Sequence, residues 1–267
     1  MKARGKHIGI VGGGLAGLTA GLDLARAGYR VTVAEAAPEP GGLAGTFAYA
    51  GTRLEKFYHH IFTTDLDVIA LIRDLGLEPK LRWRETPMGI YQDGRLLKFA
   101  SPLDLLRFTP LSFFNRIRFG IVILYLARMK SWEKFEYLRA QDWIRRAFGE
   151  QAWQKVWGPL LHGKFGEHAP EIGLPWFYSR VHTRAGSRAQ GMTKESLGYL
   201  EGSFQVLHAA LVRELEKLGG EVRCGERVKA LRVSGGKVIG WTSTRGGGKF
   251  DAVLATPAPP ALAGILP

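Results

Sequence analysis

Residues 7–35 read HIGIVGGGLAGLTAGLDLARAGYRVTVAE, and this stretch decides the fold. A short apolar run at 7–11 stops at consecutive glycines, and the leucines that follow recur at helical spacing. Gly28 is typical of a helix end, and a second β-rich run then closes with Glu35. A strand, a turn, a helix and a second strand within about 35 residues predict a βαβ crossover of minimal size and a parallel sheet.

The turn carries the pattern G-x-G-x-x-G at Gly12, Gly14 and Gly17. Gly12 permits a tight turn, Gly14 lets a pyrophosphate approach the backbone, and Gly17 lets the helix pack closely on the sheet. Leu15 and Ala16 open the helix, where backbone N–H groups and a partial positive charge favour phosphate. The pattern therefore predicts a site for an adenine dinucleotide, and a glycine-rich turn without a ligand is the alternative.

A carboxylate follows at the distance that such sites require. Glu35 lies about 20 residues after the glycines, where it would accept hydrogen bonds from ribose hydroxyls and repel the 2′-phosphate of NADP. Ala36, next to Glu35, is a further candidate for contact with the cofactor, and the segment Gly41-Gly42-Leu43 would let the backbone pass close to an extended cofactor. This segment favours FAD over NAD, although an ordinary loop remains an alternative for the glycine pair alone.

The chain resembles the protoporphyrinogen oxidase-like, or flavin amine oxidase-like, FAD-dependent oxidoreductases over essentially all 267 residues. The matching segments are 10–18 (IVGGGLAGL), Glu35, 41–43 (GGL), 55–62 (EKFYHHIF), 159–161 (PLL), 163–166 (GKFG) and 197–202 (LGYLEG). The resemblance implies FAD as cofactor, oxidation of an unidentified small or lipophilic substrate, and a role for the backbone of Val228 beside adenine. A plain inward-facing strand valine is the alternative for Val228.

The sequence departs from this family in two ways. Pro40 precedes the glycine pair, and no arginine lies in 36–42, where many relatives place one beside the pyrophosphate. Relatives also continue with a final FAD strand and a helix facing the flavin, so we expect a truncated or split protein. A complementing C-terminal chain is the corresponding partner.

The predicted fold class is α/β, with a Rossmann-like FAD-binding domain and an inserted, mainly helical substrate domain. The FAD-binding domain is assigned to 1–64 and 190–267, and the insertion to 65–189. Helices are predicted at 65–75, 111–130 and 140–148, and five of the seven tryptophans lie between Trp83 and Trp157. Near the end, glycine turns separate strands predicted at 227–233, 238–244 and 250–255 as a three-stranded β-meander.

Three side chains are candidates for chemistry. His59 and His60 follow the glycine-rich loop, and either could orient substrate or shuttle a proton, because imidazole titrates near neutral pH. Lys164, in a Gly-Lys-Phe-Gly segment, could bind an anionic group of the substrate. The alternatives are structural histidines and a solvated lysine. The histidines show no ligand spacing with cysteines or acids, so we predict no metal site.

Lys and Arg outnumber Asp and Glu by 37 to 24, which gives a formal charge of +13. A basic surface favours an anionic substrate or an anionic membrane face, and no nucleic-acid-binding motif accompanies the charge. Residues 113–129 form an apolar run bordered by arginines, typical of a helix at a membrane interface or of a core helix. With one cysteine and no signal peptide, we expect a cytoplasmic protein, peripheral at most on the inner membrane face.

Two other functions remain open at this point. The segment His-Ile-Phe-Thr-Thr at 60–64 is faintly similar to UDP-galactopyranose mutase, in which reduced flavin serves an isomerisation without net redox. The chain could also be a catalytically inactive dinucleotide-binding fragment that needs a partner chain.

Overall fold

The computed structural model describes residues 5–189 and 196–267, with the backbone alone for 185–189. Its strands are β1 (His7–Val11), β2 (Arg30–Glu35), β3 (Thr46–Tyr49), β4 (Thr52–Glu55), β5 (Ile61–Phe62), β6 (Leu81–Glu85), β7 (Gly89–Gln92), β8 (Arg95–Lys98), β9 (Ser196–Leu200), β10 (Glu221–Cys224), β11 (Val228–Ser234), β12 (Lys237–Ser243), β13 (Gly248–Lys249) and β14 (Ala252–Ala255). Its helices are α1 (Leu15–Arg26), α2 (Leu66–Asp74), α3 (Pro102–Arg107), α4 (Phe113–Arg128), α5 (Ala140–Phe148), α6 (Glu150–Ala152), α7 (Gly158–Phe165), α8 (Leu174–Ala189), α9 (Gln205–Lys217) and α10 (Pro259–Ala263).

The chain forms two compact units. The first contains 1–60, 67–82 and 199–267, and the second contains 61–66 and 83–198. The domain prediction assigned 67–82 to the insertion, whereas these residues pack with the first unit. The functional boundaries of the two domains stay a prediction.

A parallel sheet in the order β10-β2-β1-β14 is the centre of the first unit. One face carries Ile8, Ile10, Val31 and Val33, which pack with Leu215 of α9 and with α1. Because side chains alternate along a strand, Gly9 faces the other way, where an added Cβ would lie 2.3 Å from the Trp241 ring. The predicted bounds of β1, the predicted end of β2 at Glu35 and the predicted α/β class are confirmed.

The antiparallel sheet β11-β12-β13 forms the predicted meander and packs its apolar side, including the fully buried Trp241, against Val11 and Ala34. The single strand predicted at 250–255 is wrong in extent. Phe250 turns into the core beside Trp241, and the Asp251 carboxylate accepts a hydrogen bond from the His7 N–H at 2.7 Å. The chain therefore leaves the meander after two residues of β13 and enters the parallel sheet as β14.

The second unit is built around helices α4 to α8, whose buried aromatic side chains pack on one another. Phe119 stacks on Trp157 with ring centroids 5.4 Å apart, and Phe148 and Phe177 meet the same indole edge-on. The hairpin β7–β8 and the antiparallel pair of β5 with β9 also belong here. In the part of the chain that the structure describes, no helix is both long and apolar enough to cross a membrane.

Candidate functional site

The turn between β1 and α1, residues 12–17, is shaped by backbone contacts and is called the glycine turn below. Gly12 has a φ of +105°, a value that favours glycine, and its N–H donates to the Ala34 carbonyl at 2.8 Å. An added Cβ on Gly17 would lie 1.9 Å from the Gly12 carbonyl oxygen, so no other residue fits there. The first helical turn therefore lies directly against the end of β1.

Gly14 is the N-cap of α1, with a φ of −76° that any residue can adopt. It has no side chain to cap the helix, and the first turn contains no acidic residue that would offset its positive end. Leu15 and the exposed Ala16 follow as the first two helical residues. The helix N-terminus can thus offer backbone N–H groups to an anion.

Glu35 closes one side of the glycine turn. One carboxylate oxygen accepts from the Gly13 N–H at 2.7 Å, and the other accepts from the Ala37 N–H at 2.7 Å. Each oxygen keeps a lone pair with which it could accept from a ribose hydroxyl. The carboxylate thus lies beside the turn, with the exposed Ala36 next to it in sequence.

The second glycine segment lies against the first. The Gly41 N–H donates to the Gly13 carbonyl at 2.8 Å, and Gly14 and Gly41 form a parallel β-bridge. Gly41 and Gly42 both have positive φ values, of 139° and 56°. The neighbouring Leu43 side chain is 76% exposed.

The His208 ring packs against Gly41 of the second glycine segment. This residue was not among the candidates from sequence. A Cβ on Gly41 would lie 2.9 Å from the His208 ring, which is fully buried and has no hydrogen-bond partner at either nitrogen. Burial lowers the pKa of His208 to about 4, with the nearby positive charge of a protonated His59 as a lesser cause and Glu55 opposing it. His208 lies four residues after Phe204 and therefore on the same, apolar side of α9, which was the signal in the sequence that its ring is buried.

The start of β11 is fixed next to Glu35. The N–H groups of Gly225 and Glu226 donate to the carbonyls of Ala37 and Glu35, at 2.7 and 2.9 Å. Val228, the predicted adenine neighbour, begins the strand and is buried. A second residue missed from sequence, Glu226, is 1% exposed and accepts from the Ser243 hydroxyl and the Trp241 indole.

Thr256, also missed, ties β14 to the glycine turn. Its hydroxyl donates to the Val11 carbonyl at 3.0 Å, and a Cβ on Gly12 would lie 2.5 Å from the same hydroxyl oxygen. The contact joins residues 245 positions apart, which no local pattern reveals.

The predicted catalytic residues lie in different units. His59 and His60 belong to the first unit, where the His59 ring contacts the Phe57 carbonyl at 2.7 Å and the His60 ring packs near Tyr58. Lys164 is an exposed residue of the second unit, over the ring of Phe165. Their catalytic roles stay predictions.

Glu55 anchors the segment that leads to the two histidines. Its carboxylate accepts from the Tyr199 hydroxyl at 2.7 Å and from the Phe204 N–H at 2.8 Å. Partial burial and the hydrogen bond to the Glu55 carboxylate raise the pKa of Tyr199 to about 12. The phenol therefore stays protonated and remains a donor.

Comparison with known proteins places this geometry in a family. The chain is 27% identical over 247 residues to the "Probable zeta-carotene desaturase" of Synechococcus elongatus, covering 79% of this chain and 51% of that protein. It is 26% identical over 276 residues to the phytoene dehydrogenase of Streptomyces griseus, covering 94% of this chain and 54% of that protein. The chain therefore spans about half the length of the curated relatives it matches.

Among solved structures, reduced UDP-galactopyranose mutase matches with a TM-score of 0.71 at 16% identity, covering 98% of this chain and 57% of that chain. This likeness shows the fold. A family model described as flavin-containing amine oxidoreductase matches residues 15–267. As the resemblance in sequence implies, the chain belongs to the flavin-containing amine oxidoreductases, a family whose cofactor is FAD.

Proposed function

We propose that the glycine turn binds the ADP half of FAD and that the complete enzyme removes hydrogen from a small, lipophilic or anionic substrate. The observation that carries the first part is the bridge between Gly14 and Gly41 beside the Glu35 carboxylate. This bridge forms an edge lined by backbone atoms at the carboxyl end of β1. Parallel sheets bind dinucleotides at this end of their strands.

The glycines of this edge differ in what they need from the protein itself. Side chains on Gly17 or Gly41 would collide with the chain, at 1.9 and 2.8 Å from backbone atoms. A Cβ on Gly14 would meet nothing nearer than 3.6 Å, which is an ordinary contact. Internal packing therefore does not require glycine at position 14, whereas close approach by a pyrophosphate does.

The remaining cofactor contacts are assigned to residues near the glycine turn, with Val228 assigned from the family resemblance. Gly42 and Leu43 would accompany the extended cofactor away from Gly41, Glu35 would hold the ribose, and Val228 would lie along the adenine. When bound, FAD supplies the acceptor for a hydride or its equivalent. His59 or His60 would hold a proton or orient the substrate, and Lys164 would bind an anionic group.

The names of the two curated relatives, a desaturase and a dehydrogenase, support dehydrogenation as the reaction class. The mutase alternative rests on a shared fold and on the short segment 60–64, and neither of these identifies a substrate. Anaerobic mixing separates the two reactions in the complete enzyme. Substrate-dependent bleaching of the flavin supports dehydrogenation, and sugar-nucleotide conversion without bleaching contradicts it.

Calorimetric titration of the 267-residue chain tests the ADP site directly. We expect ADP and FAD to bind competitively and FMN, which lacks the adenosine half, to bind at least tenfold more weakly. Equal affinity for FMN, or no heat with ADP at millimolar concentration, would overturn the proposed cofactor site.

A further inference from the structure

The outer face of α4 has the composition of a protein interior. On a helical projection at 100° per residue, seven side chains fall within a solvent-facing arc of about 120°. Six of them are apolar or aromatic and 40–84% exposed, and only the last is charged: Phe113, Phe114, Ile117, Ile121, Leu124, Tyr125 and Arg128. With 16 residues, the helix carries this stripe over about 24 Å.

The opposite side of α4 explains why the arc is not part of the core of this unit. Phe119 and Leu126 point the other way and are buried at 3% and 0% exposure among the aromatic residues of the second unit. The helix is therefore apolar on two sides. Leu103 and Leu106 of the neighbouring α3 are also exposed, and the Arg116 guanidinium of α4 donates to the Leu106 carbonyl.

Positive charges border this surface. Arg118 lies at one edge of the arc, where its guanidinium also donates to the Ala147 carbonyl at 2.7 Å. At the C-terminal end, the Lys134 ammonium contacts the Tyr125 hydroxyl at 3.2 Å. Between residues 105 and 132 the sequence contains five basic residues and no Asp or Glu, and Asp104 and Glu133 are the acids that flank this range. An occupant of this face must thus be apolar and negatively charged at its margin.

We infer that α4 docks on an anionic lipid bilayer, with the arc in the acyl-chain boundary and the basic residues at the phosphate level. The inference goes beyond the proposed cofactor site and does not depend on it. A second copy fits the charges less well, because it would bring two predominantly basic surfaces together. The +13 charge of the whole chain favours the same anionic surface.

Co-sedimentation with vesicles tests this. We expect the full chain to bind phosphatidylcholine vesicles containing 30% phosphatidylglycerol at least tenfold more tightly than pure phosphatidylcholine, and to be released by salt. The variant Phe114→Glu/Ile121→Glu should lose at least tenfold in affinity. Its matched control is Tyr91→Glu/Leu96→Glu, in which two equally exposed apolar residues of the β7–β8 hairpin receive the same charge.

Retained binding by the control together with loss by the α4 variant supports the inference, provided that both keep the circular dichroism spectrum of the parent. Equal loss in both variants, or unchanged binding by the α4 variant, overturns it. An oligomer that dissociates in the α4 variant without any change in vesicle binding also overturns it, in favour of a second copy. ADP titration of the same samples shows separately whether the cofactor site holds.

Discussion

The glycine turn presents bare backbone to its surroundings, whereas the outer face of α4 presents aromatic and aliphatic side chains. At Gly17 and Gly41 the local packing forbids a side chain, and at Gly14 the space is open. At Phe114 and Ile121 large side chains are exposed although the helix has a complete buried face of its own. Both surfaces depart from ordinary polar exteriors, one by exposing backbone and the other by exposing apolar side chains. This contrast is the basis for proposing an anionic ligand for the first surface and an apolar layer for the second.

The largest effect is expected when the backbone contact of the glycine turn is broken. Gly17→Ala would place a methyl group 1.9 Å from the Gly12 carbonyl oxygen, and we expect the free energy of unfolding to fall by about 3 kcal/mol or more. Urea denaturation measures this. Gly163→Ala on α7, where an added Cβ meets nothing within 4 Å, is the control and should change stability by less than about 1 kcal/mol. Equal effects of the two substitutions would contradict the packing described for the turn.

The next largest effect concerns the support beneath Gly41. Because burial lowers the pKa of His208 to about 4 in the folded protein, the unfolded chain binds its proton first as pH falls. Stability should therefore decrease from about pH 6.5 down to about pH 4, by at most about 3 kcal/mol. Urea denaturation between pH 4 and 7 shows the slope, which His208→Leu should reduce. An unchanged slope in the variant would assign the pH dependence to other groups.

A smaller effect is expected at the edge of the turn. Replacing the carboxylate in Glu35→Gln removes its charge and keeps an oxygen that can accept from the Gly13 N–H. We expect the preference for ADP over 2′-phospho-ADP to fall about tenfold, because repulsion of the extra phosphate is lost. Competitive titration measures the ratio. If the parent chain binds both nucleotides equally, Glu35 does not face the ribose.

The smallest effect is expected on stability at the apolar arc. Phe114 is 84% exposed, so Phe114→Glu should change the free energy of unfolding by no more than about 0.5 kcal/mol. The same urea experiment as for Gly17→Ala tests this. A loss above about 2 kcal/mol would mean that the side chain packs within the protein, and the comparison between the two surfaces would fail.

Local features of the fold were predictable from sequence. The glycine pattern and apolar periodicity gave β1, α1 and β2 close to their observed bounds, and α5 at its observed bounds, because these elements depend on nearby residues. The predicted helix at 111–130 is α4 with its ends trimmed by two residues on each side. Periodicity alone does not tell which side of a doubly apolar helix is buried, so the exposed arc required the structure.

Contacts distant in sequence were not predictable. His208 contacts Gly41 across 167 positions, and Thr256 reaches Val11 across 245. Helical spacing indicates that His208 faces the core, but no local pattern identifies the partner of either residue. The division of the predicted strand 250–255 follows from Phe250 entering the core beside Trp241, which is again a tertiary contact. The predicted glycines and the acid lie together at the end of β1, and their contacts with a cofactor stay predictions. The residues that support them, His208 and Thr256, were missed.

ADP titration of Gly14→Ala, with Gly163→Ala as control, tests most directly whether the Gly14 backbone binds a pyrophosphate. The Gly14 backbone is compatible with alanine and the added Cβ has room, so the protein should fold with a loss of no more than about 1 kcal/mol for the poorer N-cap. We expect Gly14→Ala nevertheless to lose at least tenfold in affinity for ADP, whereas Gly163→Ala should bind like the parent chain. Parent-like ADP binding by a folded Gly14→Ala variant would contradict a pyrophosphate resting on this backbone.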